Sequence, residues 1–393
     1  MGRKCPGRGE RQAVLDHYRK LKMARSVHNF VRGAVADFYH WLDEAPATIP
    51  DLPPVWICGD CHLGNLGPVA DATGRVDIEI RDLDQSVIGN PAHDLLRLGL
   101  SLVTAARSSV LPGVATSRIV DALASGYRDA LALRPPPGEP AAVRLVRKRA
   151  VGRHWHDLVK ERTEGRGEHL PRGKRFWDLG PREVRAVEDM LEHPGVRSKA
   201  MSLTHPGIDD IRVVDAAYWR KGCSSVGFLR VAILLGLTDN VHRRNLRALV
   251  DVKQAIEPVA PTKCPLPDDQ AIRIVTGACA LAPNLGERMI ATELLGKPIV
   301  IRELKPQDLK LEIDQFTKRQ GIRAAAYLGY RVGHAHARQL TADGRRDLGR
   351  AFSAGADERA PDWFWRAIVD LAARSEATYL AHCRGIELGQ SAT

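Results

Sequence analysis

Gly59-Asp60-Cys61-His62-Leu63-Gly64-Asn65 is the stretch on which the reading of this chain turns. It follows a strand-like apolar run, Val55-Trp56-Ile57-Cys58, and its glycines and polar residues mark a loop. Beyond it, Val76-Asp77-Ile78-Glu79-Ile80 alternates with the period of two expected of a strand, and Arg81-Asp82-Leu83-Asp84 follows as a second polar loop. Gly89-Asn90-Pro91-Ala92-His93-Asp94-Leu95 then leads into a segment, Asp94 to Ala106, that carries Leu95, Leu96, Leu98 and Leu102 at helical spacing. Phosphoryl transfer needs a carboxylate to orient the attacking hydroxyl and oxygen ligands that hold magnesium against the nucleotide phosphates. Asp60, Asn65 and Asp82 supply those groups on two neighbouring loops. Asp84 is a further candidate metal ligand and His62 a further candidate catalytic residue. The plain alternative is that the Asp residues cap turns and His62 braces its loop.

The chain around these loops has 393 residues and is 44% hydrophobic, enough for a substantial core and, at this length, for two or three lobes. Its longest apolar runs, such as Val231 to Leu237, are too short to span a bilayer, and the basic start Met1 to Arg11 leads into no signal-type stretch. A cytoplasmic location without a membrane partner is expected. Seven cysteines, an odd and small number, fit reduced thiols better than a disulfide framework. The net charge of +11 favours anionic partners. Eleven Lys or Arg fall between Val143 and Leu179, interleaved with Trp155, Phe176 and Trp177, so nucleic-acid contacts through stacking stand beside the plainer readings of a solvated basic face and of aromatics that belong to a core. Nothing in the sequence signals an oligomeric state.

Elsewhere the pattern is helical from Val14 to Trp41, breaks at Pro46 to Pro54 and again at Arg134-Pro135-Pro136-Pro137-Gly138, and is briefly helical from Pro181 to Leu191. Ile211 to Trp219, Val226 to Leu235 and Ala248 to Ala255 predict a small antiparallel sheet, Ile272 to Ala282 a helix and Pro298 to Leu304 another strand. From about Ile322 the chain is helical to its end. An α+β fold follows, with four spans: N-terminal helices and the two loops (1–134), a basic, partly helical insert (135–207), a sheet-rich lobe (208–312) and a C-terminal helical part (313–393).

In order and spacing, Gly-Asp-x-His-x-x-Asn, a strand, Asp-Leu-Asp and Asn-Pro-Ala-His-Asp-Leu resemble aminoglycoside phosphotransferases and related kinase-like enzymes. The resemblance implies Asp60 as catalytic base, Asn65 and Asp82 as metal ligands, ATP and Mg²⁺ as cofactors, and Asp94 as an anchor tying a helix to the loop of Asp60. Most of the chain, from Phe30-Val31-Arg32-Gly33 through Arg302-Glu303-Leu304 to Ala335-His336-Ala337-Arg338, is similar to an uncharacterised bacterial family catalogued as domain of unknown function 2252, which names no substrate. In ordinary kinases the nucleotide loop and its lysine precede the catalytic loop. Here they are expected after it, at Gly222, Ser224, Ser225 and Gly227, where small residues let backbone amides approach phosphates, and at Lys253 in an alternating strand. The implied architecture is a two-lobed, protein-kinase-like fold, circularly permuted. Thr276 stands where the acidic partner of that lysine is expected, with Glu257 and Glu287 as substitutes.

An ATP- and magnesium-dependent phosphotransferase acting on an unidentified acceptor is the function this implies. Its rival is a catalytically inactive nucleotide-binding module, with nucleic-acid contacts through the basic segment. Two readings of another class also attach to Cys58-Gly59-Asp60-Cys61-His62: covalent haem attachment, and structural zinc through Cys58, Cys61 and distant cysteines. The haem reading leaves Asn65 and Asp82 unexplained, and the zinc reading lacks a second Cys-x-x-Cys.

Overall fold

Three N-terminal helices replace the continuous one expected from Val14 to Trp41: α1 (Arg11–Met23), α2 (Val27–Gly33) and α3 (Val35–Glu44). The interruption has a local cause, because Ser26 is extended and its hydroxyl caps α2 by accepting from the Asn29 amide at 3.1 Å. The structure is a computed structural model. It describes every residue except 1–5, 8, 45–48, 72, 109–112, 154, 164–168, 205–206, 222–226, 242–243, 306, 310, 312–316, 355–358 and 391–393.

Two short antiparallel ribbons follow: β1 (Val55–Ile57) pairs with β4 (Val87–Gly89), and β2 (Leu66–Ala70) pairs with β3 (Val76–Ile80). The loops carrying Asp60 and Asp82 connect one ribbon to the other. Helices α4 (Ala92–Ser108) and α5 (Gly113–Leu131) come next, then α6 (Ala141–Val151), α7 (Trp155–Arg162), strand β5 (Phe176–Trp177), α8 (Pro181–Glu192) and α9 (Pro194–Thr204). The long strands β6 (Asp210–Trp219), β7 (Arg230–Asp239) and β8 (Arg244–Gln254) precede α10 (Gln270–Leu281), α11 (Pro283–Gly286), β9 (Met289–Leu294) and β10 (Lys297–Leu304). The chain closes on α12 (Lys318–Ala337), α13 (Ala342–Ala351) and α14 (Asp362–Gln390). No helix among the described residues is long and apolar enough to cross a membrane.

Strands β5, β6, β7, β8, β10 and β9, in that spatial order, form one six-stranded sheet whose neighbours all run antiparallel. Both faces of β7 are covered, which explains its unbroken apolar run. Val231, Ile233, Leu235 and Leu237 meet α8 and α9, while Ala232 and Leu234 join Phe176, Trp219 and Leu249. A larger core holds the ribbons, α4, α5, α10, α12 and α14 together through Leu95, Leu98, Leu123, Ile274, Leu328 and Ile368.

The span expected as a basic insert is shared between these cores. Val143 of α6 is buried in the larger core, β5 is an edge of the sheet, and α8 and α9 cover one of its faces. Phe176 and Trp177 are buried, so neither offers a ring for base stacking; the side chain of Trp155 lies outside the described residues. Strand β9, absent from the sequence reading, forms a hairpin with β10.

Candidate active site

Asp94, in the first turn of α4, fixes the loop of Asp60 from below. Its carboxylate accepts from the amides of Cys58 at 2.7 Å and Gly59 at 2.9 Å, and His336 of α12 lies 3.3 Å from it with Tyr127 at 2.9 Å from the other ring nitrogen. Gly59 itself is required by the fold: it has φ +73°, and a Cβ there would stand 2.1 Å from the carbonyl oxygen of Gln85. That close approach brings the loop of Asp60 against the loop of Asp82.

Asp60 is only 5% exposed. Arg97, one turn beyond Asp94 on α4, donates to it at 2.9 Å and to the carbonyl of Val31 at 2.5 Å, so one buried guanidinium joins the loop to α2. Burial pushes the Asp60 carboxyl up to about 6 even though Arg97 pulls the other way. His62 Nε2 lies 4.0 Å from Asp60, and its Nδ1 is buried with no hydrogen-bond partner. Burial, together with Arg32 and Arg97 nearby, keeps the imidazole neutral. Asn65 donates through its amide nitrogen to the carbonyl of Asp60 at 3.0 Å, which leaves its side-chain oxygen as the donor available to a metal.

Asp82 and Asp84, on the adjoining loop, have a different setting. The Asp82 side chain keeps 43% of its exposure, and Lys253 Nζ is 3.2 Å from its Oδ1 while also pairing with Asp84. Against the upward push of burial, Lys253 and Arg230 hold Asp82 down at about 2. Asp84, more enclosed and beside the charge of Asp82, is raised to about 6. Arg273 of α10 donates to the carbonyls of Asp84, at 2.9 Å, and Ile256, at 2.8 Å, fastening the loop to the strand exit that follows Lys253.

The sheet forms the opposite wall. In register, Arg230 lies opposite Lys253 and Arg302 opposite Asp251, so alternation along β8 sends Asp251 and Lys253 to one face. Arg230 grips Asp251 with two hydrogen bonds of 2.8 and 2.5 Å, and Lys221 lies 3.6 Å from the same carboxylate and 4.0 Å above the Trp219 ring. Arg302 donates to the carbonyl of Arg81 at 3.0 Å and to Asp308 at 3.2 Å. Between wall and floor lies a cleft of about 150 Å³, lined by His62, Asn65, Asp82, Asp84, Lys253 and the basic residues Arg32, Arg230 and Arg302, with an apolar side of Ile274, Leu285, Met289 and Val300.

The fold therefore gathers His62, Asn65, Asp82, Asp84 and Lys253 around one cleft, with Asp60 directly beneath. Of the expected phosphate loop, Gly222, Ser224 and Ser225 lie outside the described residues; Gly227, at φ +110°, sits against Gln12 of α1 and does not line the cleft. No described glutamate pairs with Lys253. Thr276 is hydrogen-bonded to the carbonyl of Ile272, and the lysine's carboxylate partners come from the loop of Asp82.

Cys58 and Cys61 are both fully buried and, with Asp94, place three donor atoms within 4.8 Å of one another. The Asp94 carboxylate is already taken by two amides and His336, and buried thiols do not suit covalent haem attachment. Arg97, Arg230 and Asp251 escaped the sequence reading. The signal for Arg97 was a charged residue at i+3 from Asp94 in an otherwise apolar helix; Arg230 gave none until its strand partner was known.

No curated protein and no solved structure matches the chain. The family model described as "uncharacterized protein conserved in bacteria (DUF2252)" matches residues 11–135 and 138–385, and the chain belongs to that bacterial family.

Proposed function

We propose that the cleft binds Mg·ATP and transfers its γ-phosphoryl group to the hydroxyl of an acceptor, on a two-lobed, kinase-like architecture in which the catalytic floor precedes the nucleotide sheet in the chain. The observation that carries this reading is the 3.2 Å contact between Lys253 of the sheet and Asp82 of the floor, groups separated by 171 residues. It brings a lysine of the sheet to a carboxylate open to the cleft, and the buried Asp60 carboxyl lies near enough to feel the charge of Asp82; a cation, a candidate metal ligand and a candidate base in one place are the combination that aminoglycoside phosphotransferases share with other kinase-like enzymes.

Each side chain has a task in this reading. Asn65 and Asp82 would hold magnesium, with Asp84 beside them; all three offer the oxygen donors that a hard cation prefers, and Asp82 is both ionised and open to the cleft. The ion would neutralise charge on the nucleotide phosphates. Lys253, Arg230 and Arg302 would bind those phosphates from the sheet. Asp60 would orient the acceptor hydroxyl and take its proton as the oxygen bonds to phosphorus and the bond to the β-phosphate oxygen breaks, leaving ADP. His62, neutral and adjacent, would support that loop.

Thermal unfolding tests the binding half. A ligand held at about 100 times its Kd adds about 2.7 kcal/mol to stability, so ATP with magnesium should raise Tm, while ATP with a chelator should not. Asp82→Asn should weaken the magnesium dependence. No magnesium-dependent shift across millimolar ATP would remove the metal assignment.

A further inference from the structure

The acids of the site all have basic partners: Asp60 has Arg97, Asp82 and Asp84 have Lys253, and Asp251 has Arg230 and Lys221. Arg32 is different. It lines the same cleft, and among the described residues no carboxylate pairs with it. Its position is built rather than incidental. Arg97 bridges Asp60 and the carbonyl of Val31, which fixes α2 one residue before Arg32. The guanidinium then lies against Gly64, where a Cβ would meet its Cζ, Nε and Nη2 at 2.9 Å, so the glycine between His62 and Asn65 lets it rest in this position.

The half-buried guanidinium of Arg32 presents a planar fork that fits carboxylate or phosphate oxygens. The nucleotide phosphates already have cations on the sheet wall. Arg32 stands on the other side, at the end of α2 and against the loop that holds the candidate base, where an acceptor must come. We infer that Arg32 reads the acceptor: the compound phosphorylated here carries an anionic group, phosphate or carboxylate, close to the hydroxyl that reacts. Polycationic acceptors such as aminoglycosides are then disfavoured, so the likeness to their phosphotransferases does not extend to the substrate. The inference rests on the phosphotransferase reading above.

The test is calorimetric, on the full chain, with the nucleotide position first saturated by a non-hydrolysable Mg·ATP analogue. Glycerol 3-phosphate, glycerate and glycerol are then titrated as probes that differ only in the group beside the hydroxyls, the two anions separating phosphate from carboxylate. At least one anion should bind about tenfold or more tighter than glycerol, and Arg32→Gln should abolish that preference without changing affinity for the analogue. Arg32→Lys, which keeps the charge and loses the fork, should fall between, and serves if the glutamine variant does not fold. Equal binding of all three probes, or an anion preference that survives Arg32→Gln, overturns the inference. So does an Arg32→Gln variant that binds the analogue about tenfold or more weakly than wild type, because Arg32 would then serve the γ-phosphate. Failure of the wild type to bind the analogue at all is read in the first titration and removes the nucleotide reading itself, with this inference.

Discussion

Asp60 and Asp82 sit on adjoining loops, yet their surroundings drive them apart. Asp60 is 5% exposed, paired with a single arginine, and pushed up to about 6. Asp82 is 43% exposed on its side chain, faces Lys253 and Arg230, and is held at about 2. One carboxyl titrates near pH 6 and the other is ionised well below that. A proton acceptor needs the first property and a metal ligand the second, so under the proposed function burial and charge would give two identical side chains different work.

Breaking the Asp60 side of this contrast should have the largest structural effect. Arg97→Met strands a buried carboxylate, a change that commonly costs about 3–5 kcal/mol. Urea unfolding at pH 7 should show a loss of that order, smaller at pH 5, where Asp60 takes up a proton instead. A change under about 1 kcal/mol at both pH values would make the pair dispensable.

Breaking the Asp82 side acts on ligand affinity. Lys253→Met removes a charged hydrogen bond of the kind that contributes about 1.5–3 kcal/mol, so Mg·ATP should bind about ten- to hundredfold more weakly by calorimetry. Unchanged affinity would return Lys253 to an ordinary strand lysine.

The difference between the carboxyls also predicts a pH profile. Activity should need Asp60 ionised, so kcat/KM for the acceptor should fall about tenfold per pH unit below about 6, while Mg·ATP affinity should not follow Asp82 until far more acid conditions. A rate that stays flat down to pH 5 would contradict the assignment. Stability moves the other way over this window. Because burial raises the Asp60 pKa to about 6 in the folded state, its contribution is fully present below the unfolded value of about 3.9 and is lost as pH rises through about 6.

The floor was legible in the sequence because its chemistry is contiguous: Asp60, His62 and Asn65 share one loop, Asp82 and Asp84 the next, and Asp94 opens the helix that anchors them. The wall was legible only in part. Lys253 showed through its alternating strand, but Arg230 and Arg302 reach the cleft through pairings between β7, β8 and β10 that no local pattern encodes. Arg97 was hidden by its setting, a charged residue inside an apolar helix whose partner lies in another element. Phe176 and Trp177, set among basic residues, fitted stacking rings and core side chains equally well in the sequence; pairing with Trp219 and Tyr218 buries them at the sheet edge. Period and spacing specify elements and loops, whereas tertiary pairing decides which charges meet.

The most direct test of the account pairs binding with chemistry in two variants at one pH and one magnesium concentration. Asp60→Asn should keep Mg·ATP affinity within about twofold of wild type and lower phosphoryl transfer about 10²–10⁴-fold, because a positioned base acts only in the transition state. Asp82→Asn should lose both. Calorimetry and labelled-phosphate transfer from ATP measure the two quantities. Should Asp60→Asn retain the wild-type rate, Asp60 is a loop-capping residue and the cleft binds nucleotide without catalysing its use.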